Sequence, residues 1–354
     1  MMKAQPGLVI LFSSGETSAS GHRVYDWLFR RLSPPIRVAV LETPAGFQPN
    51  SALVAQKVAD FLRHHLQNYR PQVTVIPARK RGTPLSPDDP EIVSPLLQSN
   101  VIFLGPGSPT YAVRQLQNSL AWHTLVARHR LGATIIFASA ATIAAGIQAL
   151  PVYEIYKAGA DLYWHPGLDF FGPFGLSLVL VSHWDNKEGG AELDTSRAFI
   201  GQNRFEELRA LLPAGVKVVG IDEHTALILD LNTQTCLVKG RGGVTVCEGQ
   251  HEHRFRNGQS FDLHVLGAFR MPEPEEGIPA EVWEWVQRTL QVGQRAEGRQ
   301  PSPEVLVLVQ EREMARSRRD WATADALRER IAAMGWEVRD TPKGPELVPI
   351  GKLD

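Results

Sequence analysis

The sequence has few cysteines, almost no net charge and no long apolar run. Its 354 residues include two cysteines, which excludes a disulfide-dense scaffold and a zinc finger built from cysteine ligands. The 37 basic and 38 acidic side chains give a formal net charge of −1, which excludes a dedicated polycation for nucleic acid. The apolar run LVILF at 8–12 is shorter than a secretory signal requires, and far shorter than the roughly 20 residues of a membrane helix. We therefore expect a cytoplasmic protein without membrane contact.

The two cysteines flank a glycine-rich turn. Cys236 and Cys247 lie on either side of Gly242 and Gly243, so a cross-strand disulfide is one interpretation. In the reduced cytosol, however, cysteine usually serves as a small buried apolar residue. We favour two free thiols and keep the disulfide as the alternative.

The first part of the chain alternates between short apolar runs and amphipathic segments. This alternation predicts a doubly wound α/β fold, in which helices cover both faces of a mostly parallel sheet. The predicted strands are 8–14, 37–45, 73–78, 101–110 and 133–141. In such sheets, sites form at the carboxyl ends of strands. We therefore expect the functional site at one or more of the strand ends 13–17, 42–45, 105–110 and 138–141.

The pattern changes after about residue 168. An apolar strand at 176–186 leads into His183, and two strands at 216–231 flank an Asp-Glu-His turn. Residues 235–269 have the alternation and turns of an antiparallel β extension. The rest is predicted as a helix at 279–291, a linker at 292–303, a helical segment at 304–334 and a hairpin at 335–348.

These changes divide the chain into three parts. We expect an α/β domain over 1–270, a connecting helix and linker over 271–303, and a small domain over 304–354 that combines helices with a hairpin. The first part alone is long enough to bury a complete core.

Ser139 occupies a turn between a predicted strand and a predicted helix. A nucleophile on such a turn stands clear of the sheet, and backbone N–H groups can face a developing oxyanion. The usual pattern has glycine two positions before and after the serine, whereas this chain has Phe137 and Ala141. If the turn is kept, Phe137 must point into the layer between sheet and helices. The alternative is a structural serine in a turn of small residues.

The segment GPGSP at 105–109 follows the preceding strand. Glycine lets the backbone approach a ligand, and its N–H can bind an anion. Pro106 has no N–H, so the donors available here are Gly107 and Ser108. An ordinary turn that caps the next helix is the alternative.

His183 closes an apolar strand and is the candidate base for a serine nucleophile. Such chemistry needs a carboxylate behind the histidine to fix its tautomer. Glu223, in the turn of GIDEHTALI, is the first candidate, and Glu154, in LPVYEIYK, is the second. His251 and His253 lie on one strand face without a third ligand nearby, so we expect no metal site.

Residues 5–270 resemble the cyanophycinase and aspartyl dipeptidase (peptidase E) family of serine peptidases. The resemblance rests on VIFLGPGSPTYAVRQL, on IIFASAATIAAG, on GLDFFGPFGLSLVLVSHWDN and on RFEELRALLPAGVKVVGIDEHTALILD. It implies a class I glutamine-amidotransferase-like, flavodoxin-like fold and a triad of Ser139, His183 and Glu223. It further implies oxyanion donors at Gly107 and Ala140.

The resemblance also suggests where substrate binds. Ser108 replaces the asparagine of the family's glycine-rich loop, and the family places arginines just after the histidine. We therefore expect substrate contacts from Ser108, Arg197 and Arg204. Neither cysteine lies at the strand-to-helix turn that carries Ser139, which disfavours glutamine amidotransferase chemistry.

The segment 308–347 resembles the C-terminal tail of cysteinyl-tRNA synthetases. It keeps Arg-x-x-Ala-Arg, Asp-Trp, Ala-Asp and Asp-Thr-Pro-x-Gly landmarks, but the chain has no synthetase active-site signature. Residues 304–354 carry 9 basic and 10 acidic side chains, which gives no long-range attraction to phosphate. We expect a packing or dimerisation element, with tRNA contact as the alternative.

Together these features predict a serine hydrolase that cleaves a small peptide or amide without a metal or an organic cofactor. The rival hypothesis is a catalytically silent module of the same fold that recognises a peptide or RNA. The oligomeric state is left open.

Overall fold

The computed structural model describes residues 5–249, 251–297, 301–341 and 344–350, which belong to two compact units. The first unit is Met1–Gln287 and the second is Arg288–Asp354. The strands, in chain order, are β1 (Val9–Phe12), β2 (Arg37–Leu41), β3 (Gln72–Ile76), β4 (Val101–Leu104), β5 (Thr134–Ala138), β6 (Gln148–Ala149), β7 (His165–Pro166), β8 (Leu178–Val181), β9 (Lys217–Ile221), β10 (Thr225–Asp230), β11 (Thr235–Gly240), β12 (Gly243–Glu248), β13 (His251–Arg256), β14 (Ser260–Asp262), β15 (Trp336–Thr341) and β16 (Gly344–Pro349).

In the described part of the chain, ten α-helices connect or follow these strands. They are α1 (Ala19–Phe29), α2 (Ser51–His65), α3 (Pro90–Val93), α4 (Pro109–Leu116), α5 (Leu120–Arg130), α6 (Ala140–Ala144), α7 (Gln202–Ala210), α8 (Ala280–Glu297), α9 (Pro303–Ser317) and α10 (Trp321–Ala333). A π-helix spans Tyr153–Lys157. Among the helices described, none combines the length and apolar character needed to cross a membrane.

An eight-stranded sheet forms the centre of the first unit. Its order is β14-β11-β10-β1-β5-β4-β2-β3, and the five strands from β1 to β3 in this order are parallel. β10, β11 and β14 extend the sheet in antiparallel fashion. The α/β fold class predicted from the alternation is therefore confirmed, including its antiparallel extension.

Alternate residues of the central strands face opposite layers, as the two-residue period of a strand requires. In β1, Val9 and Leu11 belong to one buried cluster, whereas Ile10 and Phe12 belong to the other. The second cluster lies under α1 and α2. The first lies under α4, α5 and a second sheet. Full burial of each such side chain stabilises the fold by roughly 1.5–3 kcal/mol relative to exposure.

The second sheet has the order β13-β12-β9-β8-β6-β7. β8 and β9 are parallel, so the chain returns through α7 between them. The segment predicted as antiparallel at 235–269 is antiparallel, and its strands are divided between the two sheets. β11 pairs with β10 in the central sheet and β12 pairs with β9 in the second, because the turns after β9 and β11 cross between the sheets side by side.

Three helix boundaries differ from the predicted ones. The sequence YAVRQLQNSLAWHTLVARHR at 111–130 has a helical pattern throughout and predicts one helix. It forms two, because Asn118 has a φ of +58° and the Ser119 hydroxyl caps α5 by accepting from the Trp122 N–H. Helix α8 continues to Glu297, through half of the predicted linker, and residues 298–300 of that linker lie outside the described ranges. The helical segment at 304–334 is divided at Arg319, whose φ is +59°.

The second unit has its own small core. Helices α9 and α10 pack against each other and against the β15–β16 hairpin. Its buried apolar side chains are Val305, Leu308, Val309, Leu327, Ile331, Trp336 and Val338. Within this unit, the buried Arg312 guanidinium donates to both carboxylate oxygens of Asp340 at 3.0 Å, which ties α9 to the hairpin.

The two cysteines are free thiols. Cys236 is buried on β11 of the central sheet, and Cys247 is buried on β12 of the second sheet. Burial raises the pKa of both thiols, that of Cys247 to about 11. The disulfide alternative is therefore wrong, because the turn between the two cysteines sends them into different sheets.

Candidate active site

Ser139 lies between β5 and α6 in a backbone conformation that few residues other than glycine adopt. Its φ is +54° and its ψ is −111°. The backbone is held from both sides: the Ser139 N–H donates to the Phe12 carbonyl at 3.0 Å, and the Ser182 hydroxyl donates to the Ser139 carbonyl at 3.0 Å. Conformations of this kind cost about 1–3 kcal/mol and persist where the surrounding structure fixes them.

The residues that replace glycine beside Ser139 fit into the core. Phe137 is fully buried, with its ring 5.3 Å from that of Phe170 and 6.5 Å from that of Trp122. It therefore fills the layer between sheet and helices, as the retained turn requires. Ala141 is also buried in α6.

His183 follows β8 of the second sheet and reaches the serine of the central sheet. Its Nε2 lies 3.0 Å from Ser139 Oγ. The His183 backbone has a φ of +53°, and its N–H donates to Ser13 Oγ at 2.7 Å. The ring lies 5.6 Å from the ring of Phe199, and the side chain is 18% exposed. The imidazole is thus oriented by contacts on several sides.

Glu223 lies behind the histidine. Its Oε1 is 3.0 Å from His183 Nδ1 and also accepts from the Asn186 side-chain amide at 2.8 Å. The Glu223 N–H donates to Asp185 Oδ1 at 2.7 Å, which fixes the backbone of the turn. Hydrogen bonds from His183, and to a smaller extent from Asn186, hold the pKa of Glu223 below its usual value. The carboxylate therefore stays ionised at neutral pH.

The two residues expected to supply oxyanion N–H groups line the same pocket as the serine. Gly107 and Ala140 line this pocket, and in the described part of the chain neither N–H has a hydrogen-bond acceptor. Gly107 has a φ of +153°, and a Cβ at this position would lie 1.9 Å from the Pro44 carbonyl oxygen. Only glycine fits there, because the Ser108 N–H donates to the Pro44 carbonyl oxygen at 2.9 Å and holds the loop against Pro44.

The side chains of Arg197 and Arg204 bind backbone carbonyl oxygens outside the pocket lining. Arg197 lies over the ring of Trp184 at 3.8 Å and donates to its carbonyl oxygen at 2.8 Å. Burial lowers the pKa of this guanidinium. Arg204, which is on α7, donates to the Ile200 carbonyl at 2.7 Å. Neither side chain is part of the pocket lining, and the expected contacts of these arginines with substrate stay a prediction.

Ser108 and Glu154 also have structural partners. The Ser108 hydroxyl caps α4 by accepting from the Tyr111 N–H, and it is buried. Glu154 accepts from the Thr110 hydroxyl at 2.5 Å. Glu154 is therefore not the carboxylate that approaches His183, because its bond to Thr110 holds it against the start of α4.

The sequence did not single out four polar residues of the site. Ser13 and Ser14, at the end of β1, accept from the backbone N–H groups of His183 and His224. Asp185 and Asn186 fix Glu223 as described. The two serines could have been found from the sequence, because they lie at the strand end 13–17, where sites of this kind of sheet form. The described residues contain no group of three or more His, Cys, Asp or Glu side chains placed to hold a metal ion.

The fold is similar to that of a solved peptidase structure. A solved structure of a peptidase from an acI-B1 Actinobacterium matches 73% of this chain and 98% of its own, with a TM-score of 0.59 and 19% sequence identity. At this identity the similarity establishes the fold. The fold that the motifs suggested is thus confirmed.

The C-terminal segment is similar to part of another protein family. Residues 300–346 match the family model of the cysteinyl-tRNA ligase anticodon binding domain. The cysteine–tRNA ligase of Methanosarcina mazei is 46% identical over 59 residues, and that of Moorella thermoacetica is 51% identical over 39 residues. These matches cover 17% and 11% of this chain but only 12% and 8% of the ligases. The resemblance of the segment is confirmed, and the matched segment spans about a tenth of the length of these ligases.

Proposed function

We propose that this protein is a serine hydrolase that cleaves a small peptide or amide. The observation that carries the proposal is the continuous chain of contacts from Ser139 Oγ to His183 Nε2 and from His183 Nδ1 to Glu223 Oε1, each 3.0 Å long. These distances lie within hydrogen-bond reach of a nucleophile, its base and the group that orients the base. The peptidase-like fold supports the same class of chemistry.

In this proposal, Ser139 Oγ attacks the substrate carbonyl carbon while His183 Nε2 takes the hydroxyl proton. The C–N bond then breaks, and the imidazolium returns the proton to the departing amine. Water attacks the acyl-enzyme ester in the second half, again with His183 as base, and the acid and free Ser139 are released. Glu223 stays ionised throughout and stabilises the imidazolium.

The negative charge that develops on the carbonyl oxygen needs donors. The N–H groups of Gly107 and Ala140 are suited to this role, because they border the pocket and have no other acceptor among the described residues. Loss of one such donor in other enzymes slows turnover by about 10²- to 10³-fold.

A fluorophosphonate probe tests the proposal directly. We expect it to label the wild-type protein and Ser260→Ala, whose serine is exposed on β14, but not Ser139→Ala. An unlabelled wild type, or equal labelling of Ser139→Ala, would leave the silent binding module as the better hypothesis. Circular dichroism of each variant controls for folding.

We propose, as a second function, that the C-terminal unit contacts RNA. Trp321 is 58% exposed at the start of α10, and Arg318 and Arg319 precede it on the exposed turn. An exposed aromatic ring beside arginines is suited to stacking with an unpaired base. The similarity to an anticodon binding domain supports this, whereas the balanced charge of the segment argues for stacking over long-range attraction.

Fluorescence anisotropy with labelled tRNA tests the second function. We expect binding at low salt that weakens with added salt, and a loss of roughly 1–3 kcal/mol in Trp321→Ala. Met334→Ala, which removes another exposed apolar side chain of the unit, is the matched control. Absence of binding at low salt would refute the RNA function.

A further inference from the structure

The pocket beside Ser139 has an apolar wall. The side chains that form it are Ile143, Val152, Tyr153, Tyr156 and Phe199. The rings of Tyr156 and Phe199 lie 5.5 Å apart, and Phe199 in turn lies against His183. A substrate group bound here would therefore contact aromatic and branched aliphatic surfaces directly beside the reacting atoms.

The two charged side chains of the lining have opposite signs. Lys157 and Glu188 are both exposed, and the Lys157 ammonium lies 4.6 Å from the centre of the Tyr156 ring. Their formal charges cancel, and both are screened by solvent. Arg197 and Arg204, which would favour an acidic group, are held by carbonyl oxygens outside the lining. Among the described residues that line the pocket, none is a buried lysine, arginine, aspartate or glutamate that could pair with a charged side chain.

The size of the pocket fits one side chain. Its volume is about 230 Å³. An apolar cavity of about 150 Å³ is large enough to hold benzene. A phenyl or isobutyl group fits into this space, whereas a charged group would lose its hydration without gaining a partner.

The π-helix Tyr153–Lys157 fixes the wall in place. It supplies Tyr153, Tyr156 and Lys157, and Glu154 fastens it to α4 through the 2.5 Å hydrogen bond to Thr110. π-helical turns are rare and occur frequently at functional sites. Three side chains of this turn line the pocket, whereas the Glu154 carboxylate is bonded to Thr110 of α4.

We propose that the protein prefers substrates with an uncharged aromatic or branched aliphatic side chain next to the scissile amide. The proposal rests on the hydrolase function proposed above. It assigns Tyr156 and Phe199 as specificity-determining residues. It sets this chain apart from hydrolases that recognise aspartyl or arginyl groups.

The test compares aminocoumarin amides of phenylalanine, leucine, alanine, aspartate and arginine, each with a free and with an acetylated amino group. We expect kcat/KM for phenylalanine and leucine to exceed that for alanine by roughly 10- to 100-fold, which corresponds to burial of one apolar side chain. Aspartate and arginine should be poorer than alanine. An aspartyl or arginyl amide as the best substrate would overturn the proposal.

Two variants locate the preference. Tyr156→Ala should reduce the phenylalanine-to-alanine ratio by about tenfold, since it removes one side of the aromatic wall. Tyr163→Ala, a partly exposed tyrosine outside the lining, should keep the ratio. An unchanged ratio in Tyr156→Ala would refute its role. If aspartate is preferred and Lys157→Met abolishes that preference, Lys157 selects the substrate and the apolar proposal is wrong.

Fluorophosphonate labelling keeps the two proposals distinguishable. Labelling of Ser139 together with a preference for charged substrates overturns the specificity and leaves the hydrolase. Absence of both labelling and hydrolysis overturns both.

Discussion

Burial of His129 makes the stability of the first unit depend on pH. It lies on α5 with no exposed surface, and its Nε2–H donates to the Gly7 carbonyl at 2.9 Å. The rings of Phe170 and Phe174 lie 5.1 and 5.9 Å away. Burial, together with the charge of Arg130, lowers the pKa of His129 to about 3. The Nδ1 atom has no partner among the described residues, so a second proton would have no acceptor.

The sign of the effect follows from linkage. The unfolded chain binds a proton near pH 6.5, whereas the folded chain resists it until about pH 3, so folded stability is lost as the pH falls through this interval. Between pH 7 and pH 5, the loss from this single group is about 2 kcal/mol, which is a large part of an ordinary free energy of unfolding. The acid limb of any activity profile would therefore contain a contribution from unfolding.

Urea unfolding at pH 7 and at pH 5, followed by circular dichroism, measures this effect. His129→Gln keeps a side-chain donor for Gly7 but cannot titrate, so its free energy of unfolding should fall by about 2 kcal/mol less than that of the wild type over this interval. His251→Gln, at an exposed position on β13, should keep the wild-type decrease. If His129→Gln loses as much stability as the wild type, burial of this histidine is not the cause.

Three further predictions concern the proposed site and the division of the chain. Glu223→Gln should lower turnover by on the order of 10⁴-fold, as loss of charge does in other triads, whereas Glu154→Gln should lower it less than about tenfold; equal losses in a steady-state assay would contradict the assignment. Gly107→Ala should lower both the melting temperature and the rate of fluorophosphonate labelling, because its Cβ would overlap the Pro44 carbonyl, and wild-type values for both would show that the loop yields. Truncation after Leu290 should leave a soluble protein that the probe still labels; an insoluble product would mean that the remaining chain is needed for folding.

The sequence predicted secondary structure best where a clear apolar run or a regular apolar spacing defines an element. The five parallel strands were predictable because each is a short apolar run that ends in small or polar residues. The second sheet was not, because its pairing depends on how the turns after Ile221 and Gly240 cross between sheets. Periodicity within a strand carries no signal for the sheet that the strand will join.

The site shows the same division. Ser139, His183 and Glu223 could be proposed because each sits at the end of an apolar run with a recognisable neighbourhood. The contacts of Arg197 could not be predicted. The resemblance suggested substrate binding, whereas in the structure the guanidinium stacks on Trp184 and donates to its carbonyl oxygen. A side chain within reach of several partners cannot be placed from sequence order alone.

The location of the proposed nucleophile and base on different sheets has a consequence for folding. Ser139 follows β5 of the central sheet and His183 follows β8 of the second, and the Ser13 hydroxyl joins the end of β1 to the His183 backbone. Neither sheet alone can bring the two side chains to 3.0 Å. During refolding, hydrolytic activity would therefore appear only when the sheets have docked, later than the secondary structure of either one, and its recovery would time that docking step.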